Sequence, residues 1–190
     1  MREWLYSLFP QSARQRAVQL LRLRSMERVL IVGVRTGIDI PLLPPGLWIT
    51  GVDSNPRHMQ SARKRAAGRY VTLEVMDLRS LHYSDFSFDA ALLTLALGSV
   101  SNSPKVFQET WRVIRPGGRL VILDSFLPDD RPVSPLHTWF GRLSKSAGIG
   151  TNQKLLDVIG SSEDMVIETK AMGPFNGWYQ ILLIRKDRYL

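Results

Sequence analysis

Three short features of the 190-residue chain carry side chains and backbone able to do chemistry: the turn Gly33-Val34-Arg35-Thr36-Gly37, the acid Asp53 and the acid Asp77. Each follows a short apolar run. Glycines let a backbone approach a ligand closely and adopt angles closed to other residues. A carboxylate after a second strand can accept both hydroxyls of a ribose, and a later acid can accept an adenine amino group. The chain has no cysteine, which excludes disulfides, thiolate metal sites and cysteine nucleophiles. It has three histidines. His58 lies near Asp53, whereas His82 and His137 stand in loop-like sequence. No spacing such as HExxH accompanies them, so no metal is expected. There is also no paired-carboxylate motif and no nucleophile beside its base.

A regular alternation of elements must hold these residues. Pro10 and Ser12 start a helix whose Ala13, Ala17, Leu20 and Leu21 share one face, while Arg14 and Arg22 point elsewhere; it frays near Ser25. Apolar, β-branched runs predict strands over 28–33, 47–52, 69–75, 88–95 and 119–124. Pro56 opens a second helix that stops at Gly68. Ser103-Pro104 opens a third, with Phe107, Trp111 and Ile114 on one face, and Arg115-Pro-Gly-Gly118 ends it. Continuous apolar strands alternating with helices imply a doubly wound α/β fold with a mostly parallel sheet. Ligands of such sheets sit beyond the C-terminal strand ends, where strand order reverses. Residues 127–150 are rich in Pro, Ser, Gly and Arg. Two further strands, over 165–171 and 178–185, are joined by Gly173-Pro and Asn176-Gly177, which makes that pair antiparallel.

Composition bounds the rest. A chain that is 44% hydrophobic and 22% charged is globular, and its length suits one domain. The longest apolar stretch, 90–97, already contains Thr94, against the ~20 residues of a membrane span. The opening residues lack a secretory signal, so a cytoplasmic chain is expected. The net charge of +8 points to anionic partners, a membrane surface or a nucleic acid. Residues 1–28 hold six arginines against two glutamates, and Arg57, Arg63, Lys64, Arg65 and Arg69 form a second basic group.

The blocks VLIVGVRTG (29–37), TGVDSNPRHM (50–59), VMDLRSL (75–81), FDAALLTLAL (88–97) and RVIRPGGRLVILD (112–124) resemble the seven-stranded, class I S-adenosylmethionine-dependent methyltransferases. The resemblance implies strand order 3-2-1-4-5-7-6 with strand 7 antiparallel. It also implies that Gly33, Val34, Arg35, Thr36 and Gly37 face the methionine part of S-adenosylmethionine. Asp53 then takes the ribose, with Ser54 beside it among the cofactor-binding residues, Met59 packs on the adenine, Asp77 and Leu78 flank its polar edge, and Thr94 with Leu95 line the methyl side. Two positions depart from the family pattern. Ile31 stands where an acid is usual, and Arg35 replaces a middle glycine. Arg35 either pairs with the cofactor carboxylate or, by bulk and charge, disfavours a sulfonium; the second case makes a non-catalytic methyltransferase-fold protein.

Within that class, VGVRTGIDIPLLP (32–44), Asp124-Ser-Phe and GPFNGWYQILLIRK (173–186) are similar to small bacterial phospholipid N-methyltransferases, and the ubiquinone and menaquinone C-methyltransferases are close in the same blocks. The lipid enzymes use an N-terminal amphipathic segment at the bilayer surface, which suits Trp4, Leu5, Tyr6, Leu8 and Phe9 followed by arginines. Residues 1–27 are accordingly read as an amphipathic or lid segment, 28–190 as the catalytic domain and 127–150 as an acceptor-side insertion. A phospholipid amine is the leading acceptor and a quinone-like ring the alternative. For N-methylation, Tyr6, Trp139, Phe140 and Trp178 are candidates to face a quaternising ammonium, with Tyr6 and Trp139 positioning the acceptor. Against a nucleic-acid partner, aromatic residues do not interleave with the basic helix.

Overall fold

The computed structural model describes residues 9–127, 154–174 and 179–188. Seven strands make one sheet in the order β3-β2-β1-β4-β5-β7-β6. They are β1 Arg28–Val32, β2 Trp48–Asp53, β3 Val71–Val75, β4 Phe88–Thr94, β5 Ile114–Ser125, β6 Met165–Met172 and β7 Tyr179–Lys186. The first five pair in parallel, and β7 runs antiparallel to both β5 and β6. Strand order therefore reverses between β1 and β4, next to the Gly33–Gly37 turn.

Side chains alternate across the sheet, so Leu30 and Ile31 enter different cores. On one face α1 Gln11–Leu20 and α2 Pro56–Arg65 bury Ala13, Ala17, Val18 and Met59 against Val29, Ile31 and Leu92. On the other, α3 Ser103–Val113 and α4 Leu155–Ile159 bury Val106, Phe107, Trp111 and Leu155 against Leu30, Leu93 and Ile122. Asn55 caps α2 by accepting the Arg57 amide, and Pro56 follows at the first helical position, where its missing N–H costs nothing. No described helix is long and apolar enough to cross a membrane.

Four expectations shift. Ile114 does not continue the α3 face: it is extended, pairs with Phe88 and opens β5. Arg115–Gly118 thus lies inside a 12-residue strand, where the left-handed φ of Gly117 (74°) and a register shift between Phe88 and Ala90 absorb the irregularity. Arg14 does not point away from the buried face. It is 4% exposed, because Asp39 meets its guanidinium at 2.7 Å and Phe9 lies beneath it. The short α4 is an addition, and strand ends move by a residue or two.

Candidate functional site

After β1 the chain turns at once. The amides of Gly33 and Val34 both donate to the Val52 carbonyl at 2.9 Å, and Gly37 N donates to the Val34 carbonyl at 2.8 Å. This turn uses left-handed backbone at Gly33 (φ 73°), Arg35 (48°) and Gly37 (76°). A Cβ on Gly33 would stand 2.8 Å from the Ala96 Cβ, and one on Gly37 2.8 Å from the Ala62 Cα. Both glycines are therefore fixed by packing as well as by φ.

Asp53 ends β2 and is 5% exposed. Its Oδ2 accepts the Arg35 amide at 2.8 Å, and its Oδ1 accepts the Asn55 amide at 2.8 Å while facing His58 Nδ1 at 3.0 Å. An ionised carboxylate offers about four acceptor positions, so about one remains for an incoming hydroxyl. The Arg35 side chain reaches the other way, donating from Nη2 to the Leu95 carbonyl at 3.2 Å. Arg35 thus bridges the ends of β1, β2 and β4. The Thr36 carbonyl accepts from Arg65 at 2.6 Å, and Ser54 is exposed at the rim.

The remaining positions frame this point. Met76 N donates to the Asp53 carbonyl at 3.1 Å, which sets Asp77 just beyond the neighbouring strand. The Arg79 side chain and amide hold the exposed Asp77 carboxyl down at about 2, so it is an acceptor at neutral pH. Leu78 and Met59 are buried, Met59 in the α1/α2 core. Thr94 is buried with its Oγ1 lacking a hydrogen-bond partner among the described residues, and Leu95 follows with a left-handed φ of 53°. Tyr6, Trp139, Phe140, Trp178 and His137 lie outside the described residues, and His82 is exposed in the loop before β4. Of the second basic group, Arg65 and Arg69 donate to the carbonyls of Thr36, Ile40, Leu43 and Pro44, which gives them structural work.

Asp124, at the end of β5, carries the same sequence signal as Asp53, an acid closing an apolar strand. It is 2% exposed and accepts the amides of Leu97, Gly98 and Ser125. Its register partner Gln180 holds a buried Oε1 without a partner among the described residues. Burial pushes the Asp124 carboxyl up to about 6, against the pull of those amides and of the Arg35 charge. The unfolded value is ~3.9, so the folded chain binds this proton more tightly. The resulting stability is complete below about pH 4 and is lost as pH rises through the folded value. In urea titrations of the ligand-free protein, the difference between native and Asp124→Asn stabilities should change by roughly 2–3 kcal/mol between pH 4 and 7. A pH-independent difference would mean that Asp124 titrates like an exposed aspartate.

Residues 30–122 match the family described as Methyltransferase domain. The chain is 28% identical over 151 residues to the phosphatidylethanolamine N-methyltransferase of Cereibacter sphaeroides, covering 77% of this chain and 74% of that one. It is 34% identical over 130 residues to the demethylmenaquinone methyltransferase of Tropheryma whipplei, covering 68% of this chain but only 54% of that enzyme, about half its length. The fold recurs in a possible histamine N-methyltransferase from Thermotoga maritima (TM-score 0.67, 21% identity, 98% of this chain and 94% of that one). It recurs also in a geranyl diphosphate methyltransferase (TM-score 0.74, 16% identity, 93% of this chain and 84% of that one). The chain belongs to the class I S-adenosylmethionine-dependent methyltransferases, and S-adenosylmethionine is its methyl donor.

The residues present suit that donor. A carboxylate with an open acceptor position ends β2, a guanidinium lies beside the glycine turn, and buried apolar side chains flank the end of β3, which are the kinds of group a ribose hydroxyl, an amino-acid carboxylate and an adenine ring call for. The Asp124 charge near Arg35 offsets the added positive charge in the loop, and the unpaired Thr94 hydroxyl offers one further polar group at the end of β4.

Proposed function

We propose that this methyltransferase acts on the amine of a phospholipid headgroup at a membrane surface. The carrying observation is the phosphatidylethanolamine N-methyltransferase relative, which this chain matches over 74% of its length. The net charge of +8 suits an anionic bilayer. In this reading Asp53 and Ser54 take the ribose, Arg35 meets the methionine carboxylate, Met59, Asp77 and Leu78 hold the adenine, and Thr94 with Leu95 border the methyl. Residues 1–27 are the amphipathic, membrane-facing segment, anchored to the sheet through α1, and 127–150 the acceptor-side insertion, with Tyr6 and Trp139 positioning the amine. Arg14 ties α1 to Asp39, two residues beyond the Gly37 turn, and so joins this segment to the donor loop.

Bound S-adenosylmethionine supplies an electrophilic methyl group. The chain's own task is to align a neutral amine with it and to exclude water. This requires little acid–base machinery. The test is transfer of labelled methyl to vesicles of phosphatidylethanolamine and phosphatidylglycerol, beside transfer to demethylmenaquinone in detergent. Label in the lipid amine supports the proposal. Label only in the quinone ring replaces it with the second reading, which the 34% identity to the menaquinone enzyme favours.

A further inference from the structure

The partners of Asp53 fix more than its position. Asn55 Oδ1 accepts the Arg57 amide at 3.0 Å, capping α2. That bond sets the orientation of the side-chain amide and directs its Nδ2 to His58 Nε2 at 3.3 Å. An amide nitrogen only donates. Nε2 is therefore the accepting nitrogen, and the imidazole proton resides on Nδ1, 3.0 Å from Asp53 Oδ1. Turning the Asn55 amide over would forfeit the cap. A helix cap thus selects a histidine tautomer, and the tautomer selects what the acid receives. Oδ1 already accepts the Asn55 amide, so His58 fills its second position. Oδ2, which meets the Arg35 amide, keeps the open one.

We propose that His58 is a positioning residue of the donor site: its Nδ1–H, oriented by Asn55, pins Oδ1 of Asp53 so that Oδ2 is presented to a ribose hydroxyl beside the glycine turn. The proposal rests on the reading of Asp53 as the ribose acceptor. It differs from a packing role, because only a donor at the Nδ1 position serves. An asparagine amide nitrogen falls near Nδ1, whereas a glutamine amide reaches the Nε2 position.

The experiment is calorimetric titration of S-adenosylhomocysteine into the native protein and into His58→Asn, His58→Gln, His58→Ala and Asp53→Ala, with thermal unfolding of each. Losing one hydrogen bond to a charged group should weaken binding about tenfold in His58→Ala and His58→Gln, while His58→Asn stays within about threefold of native. The order of affinities should not follow the order of melting temperatures. Equal affinity in all three His58 variants, beside a large loss in Asp53→Ala, overturns the His58 role and leaves Asp53 in place. Native affinity in Asp53→Ala overturns both. Recovery by glutamine as good as by asparagine also overturns the proposal, since packing alone would then suffice.

Discussion

Alanine in place of Arg14 should lower the unfolding free energy by about 3–5 kcal/mol, the cost of stripping one partner from a buried ion pair. Arg14 Nη1 meets Asp39 Oδ1 at 2.7 Å, and the two side chains are 5% and 9% exposed. The variant leaves the Asp39 carboxylate in a dry environment with its charge uncompensated. It also removes the guanidinium from the Phe9 ring, 5.6 Å away. Urea titration gives the number. A double variant, Arg14→Met with Asp39→Ala, should recover most of the loss, because removing both charges is close to neutral. A single-variant loss below about 1 kcal/mol, the range of exposed pairs, would mean that water reaches Asp39. Asp39 closely follows the Gly37 turn, so Arg14→Ala should weaken donor binding as well as the fold.

Gly37→Ala should cost about 2–5 kcal/mol, from two sources that a control separates. A left-handed alanine costs ~1–2 kcal/mol, and forcing a methyl into a filled space costs a further ~1–3. At Gly37 the methyl would stand 2.8 Å from backbone of α2 and 3.1 Å from Ile40 Cδ1. Gly68 has the same φ of 76° with nothing within 4 Å of its virtual Cβ, so Gly68→Ala should show the conformational cost alone. Parallel urea titrations measure both. Equal losses would show that α2 shifts aside at no cost. Donor affinity should fall in Gly37→Ala and not in Gly68→Ala.

The features legible from sequence are those whose causes are local. Gly33 and Gly37 declare a left-handed turn by residue type, and Asp53 declares itself by ending an apolar run. The strand order followed from block resemblance rather than from periodicity. What escaped has non-local causes. Arg14 sits on a helix face that reads as solvent-facing until Asp39, 25 residues away, is brought to it. Ile114 fits the α3 period, yet pairing with Phe88 draws it into the sheet. Asp124 carried a readable signal, but its proton affinity depends on burial and on Arg35 across the sheet. The Asn55–His58–Asp53 relay is local in sequence, but its meaning lies in which nitrogen faces which oxygen.

The placement of β7 has a consequence for how the polypeptide is made. It lies between β5 and β6, yet the ribosome produces it after both. Until Tyr179–Lys186 emerges, the β5 and β6 edges are each missing a neighbour, and the contacts that close the sheet span a long stretch of chain. Long-range pairing of this kind is slow and leaves strand edges open to other chains. A nascent chain arrested ahead of β7 should therefore be the species most dependent on chaperones, and co-translational aggregation should cease as that strand clears the exit tunnel.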